Sequence, residues 1–190
     1  MSDRLYFSCN LRRYDQRTAL REFEKMLVAF PFSKLARRGP VLRVYAIERV
    51  EPPLLEREFP LPPEPPTIVE AAREFWAADC ATEVDTFWDL WQWDGDWSLK
   101  PASLQMTCFG PDFDNEQADH LRIEFGPVAR FLPAGIEGGL HMGQSNLKSL
   151  LKLIHDLEAT LEIESRAVWS ESGANFADLL KQALGDAGSN

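Results

Sequence analysis

The sequence predicts an α+β protein, a single sheet of about five or six mostly antiparallel strands with helices mainly on one face. Three observations point there. Several segments alternate apolar and polar residues with the period of a half-buried strand. Two others, after Gln16 and around Leu147–Leu161, switch to helical spacing. Between them, aromatic-rich stretches flank an Asp94-Gly95 turn signal. The chain of 190 residues is long enough for one core, and a single domain over 1–190 is expected, made of a β-α-β segment (1–50), a proline-rich strap (51–66) and the remainder (67–190).

From Arg4 to Arg12, Leu5, Phe7, Cys9 and Leu11 alternate with Tyr6, Ser8 and Asn10, which specifies a strand. Leu20, Phe23, Leu27 and Phe30 then follow helical spacing, from Gln16 until Pro31 blocks continuation. Val41–Arg49 is apolar or β-branched on both phases and reads as a strand covered on both faces. Seven of the thirteen prolines fall between Pro52 and Pro66 and dictate an extended strap, with a Pro-x-x-Pro ligand for an aromatic groove as a minor reading. Thr67 and Glu70 have capping-box spacing for a short helix through Ile68, Ala72 and Trp76.

Val84–Trp93 reads as a strand turning at Asp94-Gly95 into Trp97–Leu99, with a helix behind Asp85 as the competing assignment. Ala102, Leu104, Met106 and Cys108 alternate with Ser103, Gln105 and Thr107, and Leu121, Ile123 and Phe125 with His120, Arg122 and Glu124. Both are strands with one wet face, joined antiparallel by a polar loop over 110–119. Residues 126–143 lack a period. Leu147, Leu150, Leu151, Ile154, Leu157 and Leu161 form a helical stripe; Arg166–Trp169 can add a short strand, and Ser172 can cap a last helix carrying Phe176, Leu179, Leu180 and Leu184.

Charge and cysteines exclude several function classes. The net charge is -10, which weighs against nucleic acid and anionic lipid as partners. It is unevenly spread: eleven Lys or Arg against five Asp or Glu in residues 1–50 (+6), and nine against twenty-five thereafter (-16). Either the two parts fold against each other, or Arg12, Arg13, Arg17, Arg21, Arg37 and Arg38 form an exposed basic patch. Cys9, Cys80 and Cys108 are odd in number and widely spaced, so they specify neither a disulfide framework nor a zinc site and read as reduced, packed thiols. No signal-peptide-length run or stretch near the ~20 apolar residues of a spanning helix is present, so a cytoplasmic protein without a membrane segment is expected.

Three constellations are candidates for function. The Gly135–Asn146 segment places glycines before a helix, where free N–H groups can hold an anion beside His141, Ser145 and Asn146. It lacks the Gly-Lys-Ser/Thr of a Walker loop, and turns plus a Ser145 helix cap explain it equally. The wet hairpin face joins Gln105, Thr107, His120, Arg122 and Glu124; His120 and Glu124 lie ~13 Å apart along a strand, too far for direct acid–base coupling. The third is Trp88, Trp91, Trp93 and Trp97, four of the six tryptophans, which serve either as core fillers or as an interface.

No motif specifying a reaction is present: Ser170-Glu-Ser-Gly173 is not a nucleophile elbow, and no histidine pair has metal-ligand spacing. No catalytic residue, metal or cofactor is assigned. The leading expectation is therefore a non-enzymatic, cytoplasmic protein-binding module, an acidic inhibitor or immunity-type partner of a basic protein. The alternatives are an enzyme or small-molecule binder using the Gly135–Asn146 loop, and a homo-oligomeric structural protein that self-associates through its tryptophans.

Overall fold

A computed structural model describes residues 3–132 and 139–180. Its centre is one antiparallel sheet of seven strands, one or two more than the sequence predicts. The strands are β1 (Arg4–Leu11), β2 (Val41–Ala46), β3 (Leu55–Glu58), β4 (Cys80–Trp93), β5 (Trp97–Phe109), β6 (Leu121–Pro127) and β7 (Ile163–Ser170), in the spatial order β3-β2-β4-β5-β6-β1-β7. Helices α1 (Ala19–Ala29), α2 (Pro65–Arg73) and α3 (Gly139–Thr160) pack on the sheet, and a 3-10 turn spans Val128–Arg130.

The alternation in β1, β5 and β6 has the predicted meaning. Leu5, Phe7, Cys9, Leu104, Met106, Cys108, Leu121, Ile123 and Phe125 are all buried on the side that carries the helices. Leu20, Phe23, Met26 and Leu27 of α1 meet them, and the Cys108 thiol reaches the Ala19 carbonyl. Burial pushes both the Cys9 and Cys108 thiols up to about 12, so they are inert fillers. One continuous buried cluster runs from Leu5 to Phe176.

Local chemistry moves several boundaries. The first helix starts at Ala19 rather than Gln16, because the Asp15 carboxylate accepts hydrogen bonds from the Arg17 and Thr18 amides and holds them in a turn. The second starts at Pro65, since proline suits a first helical turn whose N–H needs no partner; Thr67 lies inside that turn and donates its hydroxyl to Glu64, so it is not the cap. Within the strap, Leu55–Glu58 forms β3 against β2. β2 ends at Ala46 and is sealed on one phase only: Leu42 and Val44 are fully buried, while Val41, Arg43 and Tyr45 are partly exposed. In α3, Leu151 is half exposed, and Leu153 takes its place in the buried stripe.

Asp94-Gly95 does form the hairpin turn, with Gly95 at φ +79°, and the helix alternative for Val84–Trp93 is excluded by continuous pairing from Ala81↔Phe109 to Trp93↔Trp97. Only the base of this ribbon has strand neighbours: β2 pairs it as far as Asp85 and β6 no farther than Gln105. Pro101 and Lys100 sit on the unpaired part of β5, where a missing donor and a charge blunt the edge.

The basic and acidic parts of the chain interlock. Ion pairs Arg4–Glu124, Arg38–Glu58, Arg43–Glu56, Arg43–Asp85 and Arg49–Glu83 all join residues 1–50 to the remainder. The six arginines of the basic-patch reading do not assemble. Every neighbouring pair in the sheet is antiparallel and three strands separate β1 from β2, so the two run in the same direction. Arg12, Arg13 and Arg17 follow the end of β1, whereas Arg37 and Arg38 precede β2 at the opposite end of the sheet.

Candidate interaction surface

In β4, residues on the even phase turn toward the helices and those on the odd phase toward the open face. Trp88 is on the inner phase, 5% exposed, with its ring against Phe30, Phe125 and Phe131. It belongs to the core and leaves the tryptophan interface. Trp91 and Trp93 are on the outer phase, and the register places Leu99 opposite Trp91 and Trp97 opposite Trp93. Trp93 is 45% and Leu99 44% exposed, and the Trp93 and Trp97 rings lie 5.7 Å apart. The projecting tip thus carries four large apolar side chains on one side.

Acidic residues flank that strip. Asp94 and Asp96 are exposed at the turn, Asp96 accepting the Trp97 amide at 2.8 Å and Asp94 lying 3.4 Å from Lys100. The ribbon is held from behind. Asn146, inside α3 and 2% exposed, accepts from the Trp91 amide and donates to the Trp91 and Arg130 carbonyls. Ser33 donates its amide to the Phe87 carbonyl and its hydroxyl to Asp89. A free ribbon of this length would be marginal in water; these clamps give the tip a fixed orientation.

The Asn146 clamp also alters the predicted anion cradle. Gly139, His141, Ser145 and Asn146 lie within α3, and Asn146 is consumed in tying helix to strand. His141 is exposed on the helix surface, and Ser145 lies six residues past the Gly139 start of α3, so Ser145 is not the cap. Residues 135–138 lie outside the described residues.

The open face of the sheet brings together four of its five predicted members. Gln105 pairs with Glu124 and Thr107 with Arg122 across β5 and β6. Each is committed: Gln105 donates to Asp85 at 3.0 Å, Thr107 accepts from Arg49 at 3.2 Å, and Glu124 is ion-paired with Arg4. Arg122 forks onto both oxygens of Asp119 at 2.7 and 2.8 Å, donates to Asn115, and lies over the Phe109 and Trp169 rings. His120 is the exception. It precedes β6, stacks on Tyr14 with centroids 4.0 Å apart, and accepts the Leu11 amide on Nδ1. Burial pulls its pKa below the ordinary histidine value, against the opposing Asp119 and Glu164 charges. It therefore acts as a neutral acceptor that closes the end of the sheet and is no partner for Glu124.

Next to this network Glu83, 5% exposed, is raised by burial above the usual carboxylate range although Arg49 Nη2 lies 2.7 Å away. Sequence reasoning missed Glu83 and Arg49, because an acid among Thr82, Val84 and Ala81 carries no signal of its cation in a loop more than thirty positions earlier. Among the described residues, no group of three or more His, Cys, Asp or Glu is arranged to hold a metal, and no helix is long and apolar enough to cross a membrane.

No protein-family model, curated protein or solved structure matches this chain.

Proposed function

We propose that the protein is a non-enzymatic, intracellular protein-binding module, an acidic inhibitor or immunity-type partner of a basic protein, and that the tip of the β4–β5 hairpin is its contact surface. The observation that carries this reading is the row Trp91, Trp93, Trp97 and Leu99, held on one side of a braced ribbon beside Asp94 and Asp96. Leaving an indole and a leucine nearly half in water forgoes burial worth about 25 cal/mol per Å² of apolar area, and interfaces recover that energy with tryptophan anchors more than with most residues. The acidic rim and the net charge of -10 select a cationic partner by steering encounter and penalising anionic competitors.

The test is affinity capture of the tagged chain from its native cell, followed by native mass spectrometry and light scattering. The expected result is a stoichiometric complex with a protein of pI above about 8, lost in a Trp93→Ala/Trp97→Ala variant and weakened by added salt. Recovery of no stoichiometric partner, or of a complex indifferent to the double variant, would falsify the reading. A wild-type homodimer that the variant turns into a monomer would replace the basic partner by a second copy of the chain.

A further inference from the structure

The open face contains a second feature, independent of the tryptophans. Where β2, β4, β5 and β6 approach the base of the projecting ribbon, a cavity of about 500 Å³ is lined by the side chains of Arg4, Arg38, Arg43 and Arg130, with Asp85 and Glu124 as its carboxylates. Glu56 and Glu58 lie just outside the lining and pair with Arg43 and Arg38, so among the described residues Arg130 is the one cation of the four without a carboxylate partner. The volume of the cavity is that of a small-molecule site.

The carboxylates are already engaged. Asp85 is shared between Arg43 and Gln105, and Glu124 is held by Arg4. Arg38 reaches outward to Glu58 at 3.3 Å. Arg130 differs from the other three: Nη1 donates to the Ser103 and Phe125 carbonyls, both at 2.8 Å, and no carboxylate of the described residues lies within 4 Å of its guanidinium. Burial and the Arg4 charge both pull its pKa down, as expected for a half-buried cation that lacks a counter-ion. The backbone is shaped to hold it there. Gly126 has φ +79°, a conformation that strains L side chains, and a Cβ there would stand 2.4 Å from Arg130 Nη1, so the guanidinium rests against bare backbone. Fixing two N–H groups on carbonyls leaves the rest of the planar fork presented to the cavity, the geometry that recognises oxyanions.

We propose that this cavity is a binding site for a small organic anion, whose carboxylate or phosphate group is held by Arg130 and Arg4. Phe87 and Val41 in the wall supply apolar surface for the body of such a molecule.

The test is an NMR titration of the isolated protein with inorganic phosphate and with citrate as probes, at constant ionic strength against sodium chloride. The expected result is saturable, single-site movement of the Ser103 and Gly126 amides and of the Arg130 Nε–H signal, with affinity reduced about tenfold by Arg4→Gln and lost in Arg130→Gln. Because Arg130 also supports two carbonyls, Arg130→Gln can fail to fold; the half-exposed Arg4 decides the matter. No saturable movement beyond the chloride control, movement mapping elsewhere, or an Arg4→Gln variant that binds as wild type overturns the proposal. Since no partner protein is present, the result is independent of the hairpin surface.

Discussion

Trp88 and Trp93 stand on the same strand, on opposite phases, and meet opposite surroundings. Trp88 points toward the helices where Phe30, Phe125 and Phe131 close around it; Trp93 points to the open face beyond the last residues that β2 and β6 pair and stays 45% exposed. The periodicity of a strand fixes which residues share a side, but how long the neighbouring strands are decides whether that side is covered. Two tryptophans equivalent in composition therefore have different surroundings, one contributing to the core and the other, under the function proposed above, to recognition.

Substitution separates them most strongly. Trp88→Ala should cost about 3–5 kcal/mol in chemical denaturation, the range for a large aromatic removed from a closed core, whereas Trp93→Ala should stay within about 0.5 kcal/mol. Equal losses would show that the tip is part of the folding core and would undo the contrast.

The same comparison extends to the polar side of the sheet, where Arg122 organises a packed post rather than a solvated charge. Arg122→Lys keeps the charge but gives up the two-pronged contact with Asp119, whose side chain is 4% exposed, and the stacking on Phe109 and Trp169. A loss of about 1–3 kcal/mol by urea denaturation is expected; a change near zero would mean that this face behaves as ordinary surface.

A smaller effect concerns His120. Its folded pKa is lowered, so between that value and about 6.5 the unfolded chain binds more protons than the folded one, and stability rises with pH. Its contribution is complete above about pH 6.5 and is lost as pH falls through the folded pKa. Melting temperature followed from pH 7.5 to 5 should show this decline, and His120→Asn, which retains an acceptor for the Leu11 amide without the titration, should flatten it. An unchanged slope would remove His120 as its source.

Much of the fold was legible because strands with one wet face declare their parity. β1, β5 and β6 were readable from alternation, and the β4 hairpin from Asp94-Gly95. β3 was hidden because flanking prolines dominate the composition of its segment, although none falls within Leu55–Glu58. The start of α3 was misplaced because glycines read as loop formers, whereas Gly139 and Gly143 are helical here. At the candidate surface, parity separates Trp88 from Trp91 and Trp93, yet exposure depends on where distant strands stop, which no local pattern states. The arginine cavity was illegible for the same reason: Arg4, Arg43 and Arg130 come from separate elements and converge only through the order of strands.

That order also has a temporal consequence. β1 is flanked by β6 and β7, so its two edges wait for residues 121–127 and 163–170. Translation at roughly 5–20 residues per second separates Leu11 from Leu121 by on the order of ten seconds. Throughout that interval β1 is an unpaired apolar strand bearing Leu5, Phe7 and Leu11, with both edges open to non-native pairing.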